Sequence, residues 1–278
     1  MPTSIKRRFL PLGTAAALAV LAACSDTPEV ALDGLSDQEI FARAEMQLEA
    51  GQSDLAAQSF GEIERLYPYS ELTERALIMQ AFAFHRDGDY DNSRASAQRF
   101  LQFFPDSGDA PYAAYLLALS YYDQIDDIGR DQGLTVSALE ALTRVIEGYP
   151  GSPYAADAQQ KFRLAFAHLA GKEMDVGRYY LKRGHYAAAA NRFRVVVEDF
   201  QTTVHTPEAL HRLVESYLAL GLEDEARTAA AILGHNYQGS EWYDASYALL
   251  TGQGLEPGVA GTGWLTAIYR QVVLGQWL

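Results

Sequence analysis

The chain of 278 residues has a single cysteine, Cys24, so no disulfide can form within it. It is short of positive charge. Against 36 Asp and Glu stand 22 Lys and Arg, a formal net charge of −14. That balance argues against a nucleic-acid partner, whose phosphates demand Lys and Arg, and against docking by charge on an anionic lipid surface. One apolar run, 9–23, is present, and it is shorter than the about 20 residues that a membrane-spanning helix needs. The six histidines (His85, His168, His185, His205, His211 and His235) show no metal-ligand spacing. The stretch DGDYDN, 87–92, resembles a calcium loop, but an EF-hand wants Gly and Glu where Asn92 and Gln98 stand. Its plain reading is a turn between helices with Asp89 as an N-cap. No Gly-rich phosphate loop, nucleophile elbow or isolated carboxylate pair stands out. The expectation is a protein that is not an enzyme and has no cofactor and no metal. Strand signals are almost absent.

What is present begins at the N-terminus. Lys6, Arg7 and Arg8 precede the apolar run, the charge order of an export signal. The run ends in Leu21-Ala22-Ala23-Cys24, the form of a bacterial lipobox, in which the thiol takes a diacylglycerol and the chain is cut before it. Cys24 is therefore the expected lipid attachment site, and acyl chains contribute about 0.8 kcal/mol per buried CH₂ to anchoring. An Asp directly after the cysteine resembles an inner-membrane retention signal; here Ser25 follows and Asp26 comes later, which favours the outer membrane. Residues 1–23 read as a signal peptide, 24–35 as a tether. Without Lys6, Arg7 and Arg8 the formal charge falls from −14 to −17.

The rest of the chain is periodic. The phrases LYPYS, FFPDS and GYPGS recur at 66–70, 103–107 and 148–152, with weaker copies DFQTT at 199–203 and NYQGS at 236–240. Sixteen residues before the aromatics Tyr67, Phe104, Tyr149, Phe200 and Tyr237 stand Gly51, Gly88, Gly133, Gly184 and Gly221. Glycine makes up 22 of 278 residues, so five coincidences are not chance. Five positions after each glycine the residue is small (Ala56, Ser93, Ala138, Ala189, Ala226), and twelve after it is apolar (Ile63, Phe100, Val145, Val196, Leu233). Each unit reads as a helix, a glycine turn, and a second helix stopped at the aromatic by the Pro or Gln that follows. This is the tetratricopeptide pattern. The expected fold is all-α, a right-handed superhelical solenoid of five such helix pairs (about 36–70, 71–107, 110–152, 153–203 and 206–240). A capping helix from Glu241 to about Leu250 and an extension over 252–278 complete it. Two insertions widen the middle units: a polar loop at 123–132, and a lengthened first helix of the fourth unit over 154–183, where Gly171 and Gly177 allow a kink.

Repeats of this kind say only that the chain is an interaction scaffold. Narrower information lies in the third and fourth units. Tyr149, Pro150, Ser152, Tyr154, Asp157 and Ala158 are followed by Val176, Tyr179, Tyr180, Arg183, Gly184 and Tyr186, then by Asn191 and Arg192. This order resembles the BamD family, the lipoprotein subunits of the outer-membrane β-barrel assembly machine. Arg130, Asp131 and Gln132 sit where family members carry an insertion, and the resemblance spans roughly 30–250. It implies a periplasmic scaffold on the outer membrane of a Gram-negative bacterium, holding the POTRA domains of BamA and other lipoproteins of the complex. The implied BamA contact uses the C-terminal repeats, with Tyr179, Arg183, Asn191 and Arg192 as its candidates. Arg192 has an alternative role as an ion-pair residue inside the repeat. The N-terminal repeats are implied to recognise unfolded outer-membrane proteins. Tyr67 matches the family's substrate position, or serves as a turn aromatic in the core. Asp54 replaces a basic residue of some relatives, a departure that alters the substrate-charge logic. The segment 263–278 is apolar on one side (Trp264, Leu265, Ile268, Val272) and suits docking on a partner or on the repeat stack itself.

The alternative is a periplasmic tetratricopeptide lipoprotein serving cell-wall synthesis or envelope constriction. Such proteins carry an N-terminal coiled coil, and residues 25–36 show no heptads. The anchor is testable first: Cys24→Ala is expected to abolish incorporation of radiolabelled palmitate, and incorporation that persists would refute lipidation at this residue.

Overall fold

The computed structural model describes residue 32, residues 34–261 and residues 263–273. The expected signal peptide and Cys24 lie outside the described residues. Ten helices form five pairs: α1 (Asp37–Glu49) with α2 (Ser53–Leu66), α3 (Thr73–Asp87) with α4 (Tyr90–Phe103), α5 (Ala110–Tyr122) with α6 (Gly133–Gly148), α7 (Ala155–Lys182) with α8 (Tyr186–Asp199), and α9 (Thr206–Ala219) with α10 (Glu223–Asn236). Then come α11 (Glu241–Thr251), a short α12 (Trp264–Ile268) and a π-helical turn, Tyr269–Val273. No strand occurs among the described residues. From α1 to α11 each helix packs on the next, and first helices of neighbouring pairs also touch (α3 on α5, α5 on α7), as do α9 and α11, while α12 packs back on α10. The core is accordingly a row of adjoining clusters along the stack. This is the tetratricopeptide solenoid with a capping helix.

The repeat positions explain the stacking. Ala56, Ser93, Ala138, Ala189 and Ala226 are all fully buried, and so are Ile63, Phe100, Val145, Val196 and Leu233. A side chain no larger than a methyl or hydroxymethyl lets the two helices of a pair approach. The larger residue two turns on fills the gap between pairs. Four of the five glycines close the first helix in the left-handed conformation: Gly51 (φ 78), Gly88 (φ 85), Gly184 (φ 74) and Gly221 (φ 74). The next residue's N–H reaches back to a carbonyl five positions earlier, as from Asp89 to Phe84 at 2.9 Å. That completes a Schellman cap.

Gly133 departs from the expectation. It has no left-handed conformation and opens α6, its N–H donating to Asp131 Oδ1 at 2.9 Å. The insertion is the reason: α5 already ends at Tyr122, and the loop makes the turn that the glycine makes elsewhere. At the other end of each second helix the aromatic is the C-cap, and its carbonyl accepts from the residue three positions on. Ser70, Ser107, Ser152, Thr203 and Ser240 donate at 2.9–3.2 Å. Gln201 and Gln238 follow the aromatic in two units and the turn is unchanged, so these hydrogen bonds, rather than proline, set it. DGDYDN is such an interhelix turn: Asp89 caps α4, its side chain accepting from the Asn92 N–H at 3.2 Å.

The two insertions interlock. α7 has 28 residues, against 13 to 15 in α1, α3, α5 and α9, and runs unbroken where a kink was allowed. Its glycines admit neighbours instead. A Cβ on Gly177 would stand 2.5 Å from the buried Phe193 ring. One on Gly171 would meet His205 at 3.4 Å and Ile128 of the inserted loop at 3.8 Å. Around that contact Lys172 Nζ donates to the Gly129 carbonyl at 3.0 Å, and His168 Nδ1 lies 3.0 Å from Gln132 Oε1.

The C-terminal end is closed by α11 and by the described part of the extension, which packs on the stack itself. Leu265 is 2% exposed, the Trp264 indole N–H lies 3.3 Å from the Tyr217 hydroxyl, and the Arg194 guanidinium lies 4.7 Å over the Trp264 ring. Arg227 Nε donates to the Glu256 carbonyl at 2.9 Å. Between α9 and α11, the buried His211 has Nδ1 2.9 Å from Ser246 Oγ, with Trp242 stacked obliquely at 5.3 Å and Glu215 3.7 Å from Nε2. Burial pushes the His211 pKa down, and burial with the Arg178 charge does the same at His205.

Two outcomes follow from this packing. Gly177→Ala is expected to lower the melting temperature. Overpacking costs about 1–3 kcal/mol, more than the roughly 0.5–1 kcal/mol that Ala gains over Gly in a helix. Gly148→Ala, which meets nothing within 4 Å, is expected to melt no lower than the parent. For the histidines the folded pKa is depressed, so the unfolded chain takes protons first. Stability is full above the unfolded value of 6.5 and declines as pH falls below it. The melting temperature is expected to drop between pH 7.5 and 5.5, and to drop less in His211→Asn; equal slopes in the two proteins would remove His211 from this role.

Candidate partner-binding site

The extra turns of α7, the turn that follows it and the first two turns of α8 carry the four residues that the sequence offers for a partner contact. α8 starts two residues after Gly184, whose left-handed turn folds it back antiparallel to α7. Arg192 is exposed on α8, and its Nη1 donates to Glu173 Oε2 of α7 at 3.0 Å. Arg183, just past α7, lies over the Tyr179 ring at 4.3 Å, and Tyr179 is half exposed. Tyr180 meets Tyr179 edge to face at 5.7 Å and packs inward on the core cluster. Asn191 is exposed beside Arg192. The hairpin thus groups a cation–π pair and an ion pair, rather than four independent side chains. Sequence reasoning missed Glu173, because an acid with no motif around it is indistinguishable from a solvated helix face.

A second charge cluster ties α7 to α9. Arg178 grips Glu208 through Nε at 2.9 Å and Nη2 at 2.5 Å, and Arg212 adds a third contact at 3.3 Å. Burial opposes ionisation of Glu208, yet the two guanidiniums outweigh it and its pKa falls, while the bond to Glu208 raises that of Arg178. Both groups are fixed in the charged form, so this cluster is a bolt between pairs.

Earlier motif residues are also committed internally. Tyr154 stacks on Tyr115 at 5.2 Å, and the Tyr115 hydroxyl bonds to Asp157, which is also paired with Lys161 at 3.3 Å. Burial raises the Tyr115 pKa, and its hydrogen bond lowers that of Asp157. These residues join the third unit to the fourth. Tyr67 is half-buried against the first-unit cluster, and its hydroxyl donates to the Leu35 carbonyl at 2.5 Å. Asp54 is exposed in the first turn of α2. In the turn that follows α2 the fully exposed aromatic is Tyr69, two residues past Tyr67, which the repeat pattern does not mark.

A family model described as YfiO, outer membrane lipoprotein, matches residues 34–232. The outer membrane protein assembly factor BamD of Caulobacter vibrioides is 41% identical over 245 residues, which cover 88% of this chain and 80% of that one. Its counterpart of the same name in Rickettsia prowazekii is 43% identical over 195 residues, covering 70% and 78%. A crystal structure of a thermophilic TPR protein from Thermus thermophilus aligns with a TM-score of 0.36 at 20% identity, covering 77% of this chain and 98% of that one. With a family model matched across the repeats and relatives above 40% identity along most of its length, this chain belongs to the BamD (YfiO) family of outer membrane protein assembly factors.

Proposed function

We propose that the chain is anchored by lipid at Cys24 to the periplasmic face of the outer membrane, where it acts as a scaffold rather than an enzyme. The α7–α8 hairpin holds the POTRA domains of BamA, with Arg192 meeting an acidic side chain there and Tyr179, Arg183 and Asn191 around it. Other lipoproteins of the assembly complex join the same scaffold. The N-terminal repeats engage unfolded barrel proteins around Tyr67. Its hydroxyl is already used by Leu35, so the ring is the part available to a substrate.

The observation that supports this most is the state of Arg192. Its guanidinium is exposed on a chain of net charge −14, and the single bond it makes among the described residues leaves donors for a partner. An exposed internal pair contributes only about 0–1 kcal/mol to folding, whereas losing one member of a buried pair across an interface costs about 2–5 kcal/mol.

Arg192→Glu is therefore expected to lose co-purification with BamA and to lower barrel-protein levels in the outer membrane, while its melting temperature changes little. Measuring both on one preparation separates the two roles of Arg192. A variant that melts lower and loses BamA only in proportion would make Arg192 an internal ion-pair residue. Full BamA retention at unchanged melting would remove it from both roles.

A further inference from the structure

Glu173 lies in the middle of α7, with Ala170 and Met174 fully buried beside it, so its backbone is held on a packed helix. Its side chain is 23% exposed, against 45% for Arg192. Of the pair, the carboxylate is the fixed member and the guanidinium the adjustable one. Among the described residues only Nη1 of Arg192 is engaged. Among the described residues nothing accepts from its Nε or Nη2, the edge through which a guanidinium grips a carboxylate by two parallel hydrogen bonds.

We infer that Glu173 is a positioning residue for the partner contact: it holds Arg192 by one nitrogen and presents the free Nε–Nη2 edge outward to an acidic side chain of the partner. This rests on the reading above that Arg192 meets such an acid on BamA. A free arginine samples many rotamers, and fixing it at an interface weakens binding by the freedom lost. With Glu173 in place much of that freedom is gone before the partner arrives, and the incoming carboxylate adds without displacing Glu173. The two acids repel, and the shared cation between them offsets this. The role of Glu173 is thus that of a hydrogen-bond acceptor at a fixed point, which a glutamine can fill and an alanine cannot.

The test titrates the full chain, solubilised in detergent, against purified BamA of the same bacterium, with melting followed on each preparation. Glu173→Ala is expected to bind roughly 2- to 10-fold more weakly at unchanged melting, the size of one released side-chain rotor. Glu173→Gln is expected to bind within about twofold of the parent or more tightly, since it keeps the acceptor and removes the repulsion. If Glu173→Ala melts lower, Glu173→Met takes its place, keeping volume without an acceptor for the guanidinium. Binding by the variant without an acceptor that equals or exceeds the parent's, while Arg192→Glu fails to bind, would overturn the positioning role and leave the Arg192 contact standing. Undiminished binding by Arg192→Glu would overturn the contact itself, and the positioning role with it.

Discussion

Everything in this molecule depends on how closely the two helices of a pair can approach. Five small residues at one repeat position, all with no exposed surface, permit that approach, and five large apolar residues seven positions later close the space between pairs. A side chain added at the small position has nowhere to go, because a close-packed interior of low compressibility cannot absorb it. Removing the large one leaves a cavity between adjacent units. The stack follows from repeating this contact, and each unit has only its neighbours to lean on. The terminal faces must then be closed separately: by Leu32 and Leu35 at one end, and by α11 with Leu255, Trp264, Leu265 and Ile268 at the other.

The same constraint explains where the distinctive features sit. A longer first helix in the fourth unit projects beyond its neighbours and must be covered. The inserted loop of the third unit covers it, with Gly171 allowing Ile128 to close in and Lys172 and His168 bonding to the loop. Glu173, Arg178 and Tyr179 all lie past the fifteenth residue of α7, where the first helices of other units have already ended. Arg178 is bolted to Glu208 and fixes the projection to the fifth unit. What remains on its outer side is a hairpin with Tyr179, Arg183, Asn191 and Arg192 exposed on a rigid support. Rigid helical mounting is what precise presentation of a charged group requires.

The period and the burial of its two marked positions could be read from residues alone, since both are consequences of helix geometry within about 37 positions. So could the capping helix, and the resemblance carried by the third and fourth units. The turn at Gly133 could not: a ten-residue insertion moved the chain reversal off the glycine, while the spacing to the following aromatic stayed the same. Nor could the continuity of α7. Glycine inside a helical pattern reads as weakness, but at Gly177 its value is the 2.5 Å that a Cβ would leave to Phe193, a residue sixteen positions away on another helix.

The units, their number and the identity of their contact residues are legible along the chain, because they depend on local periodicity and on side-chain size. What the motif residues do with their polar groups depends on the packing of one helix against another. Tyr67 turned its hydroxyl to Leu35, Tyr154 and Asp157 went into the junction between units, and Arg192 met Glu173 by one nitrogen. A hydrogen bond is a matter of a few tenths of an ångström between groups far apart in the chain, and no spacing along one helix specifies which acid on the next will lie within that reach.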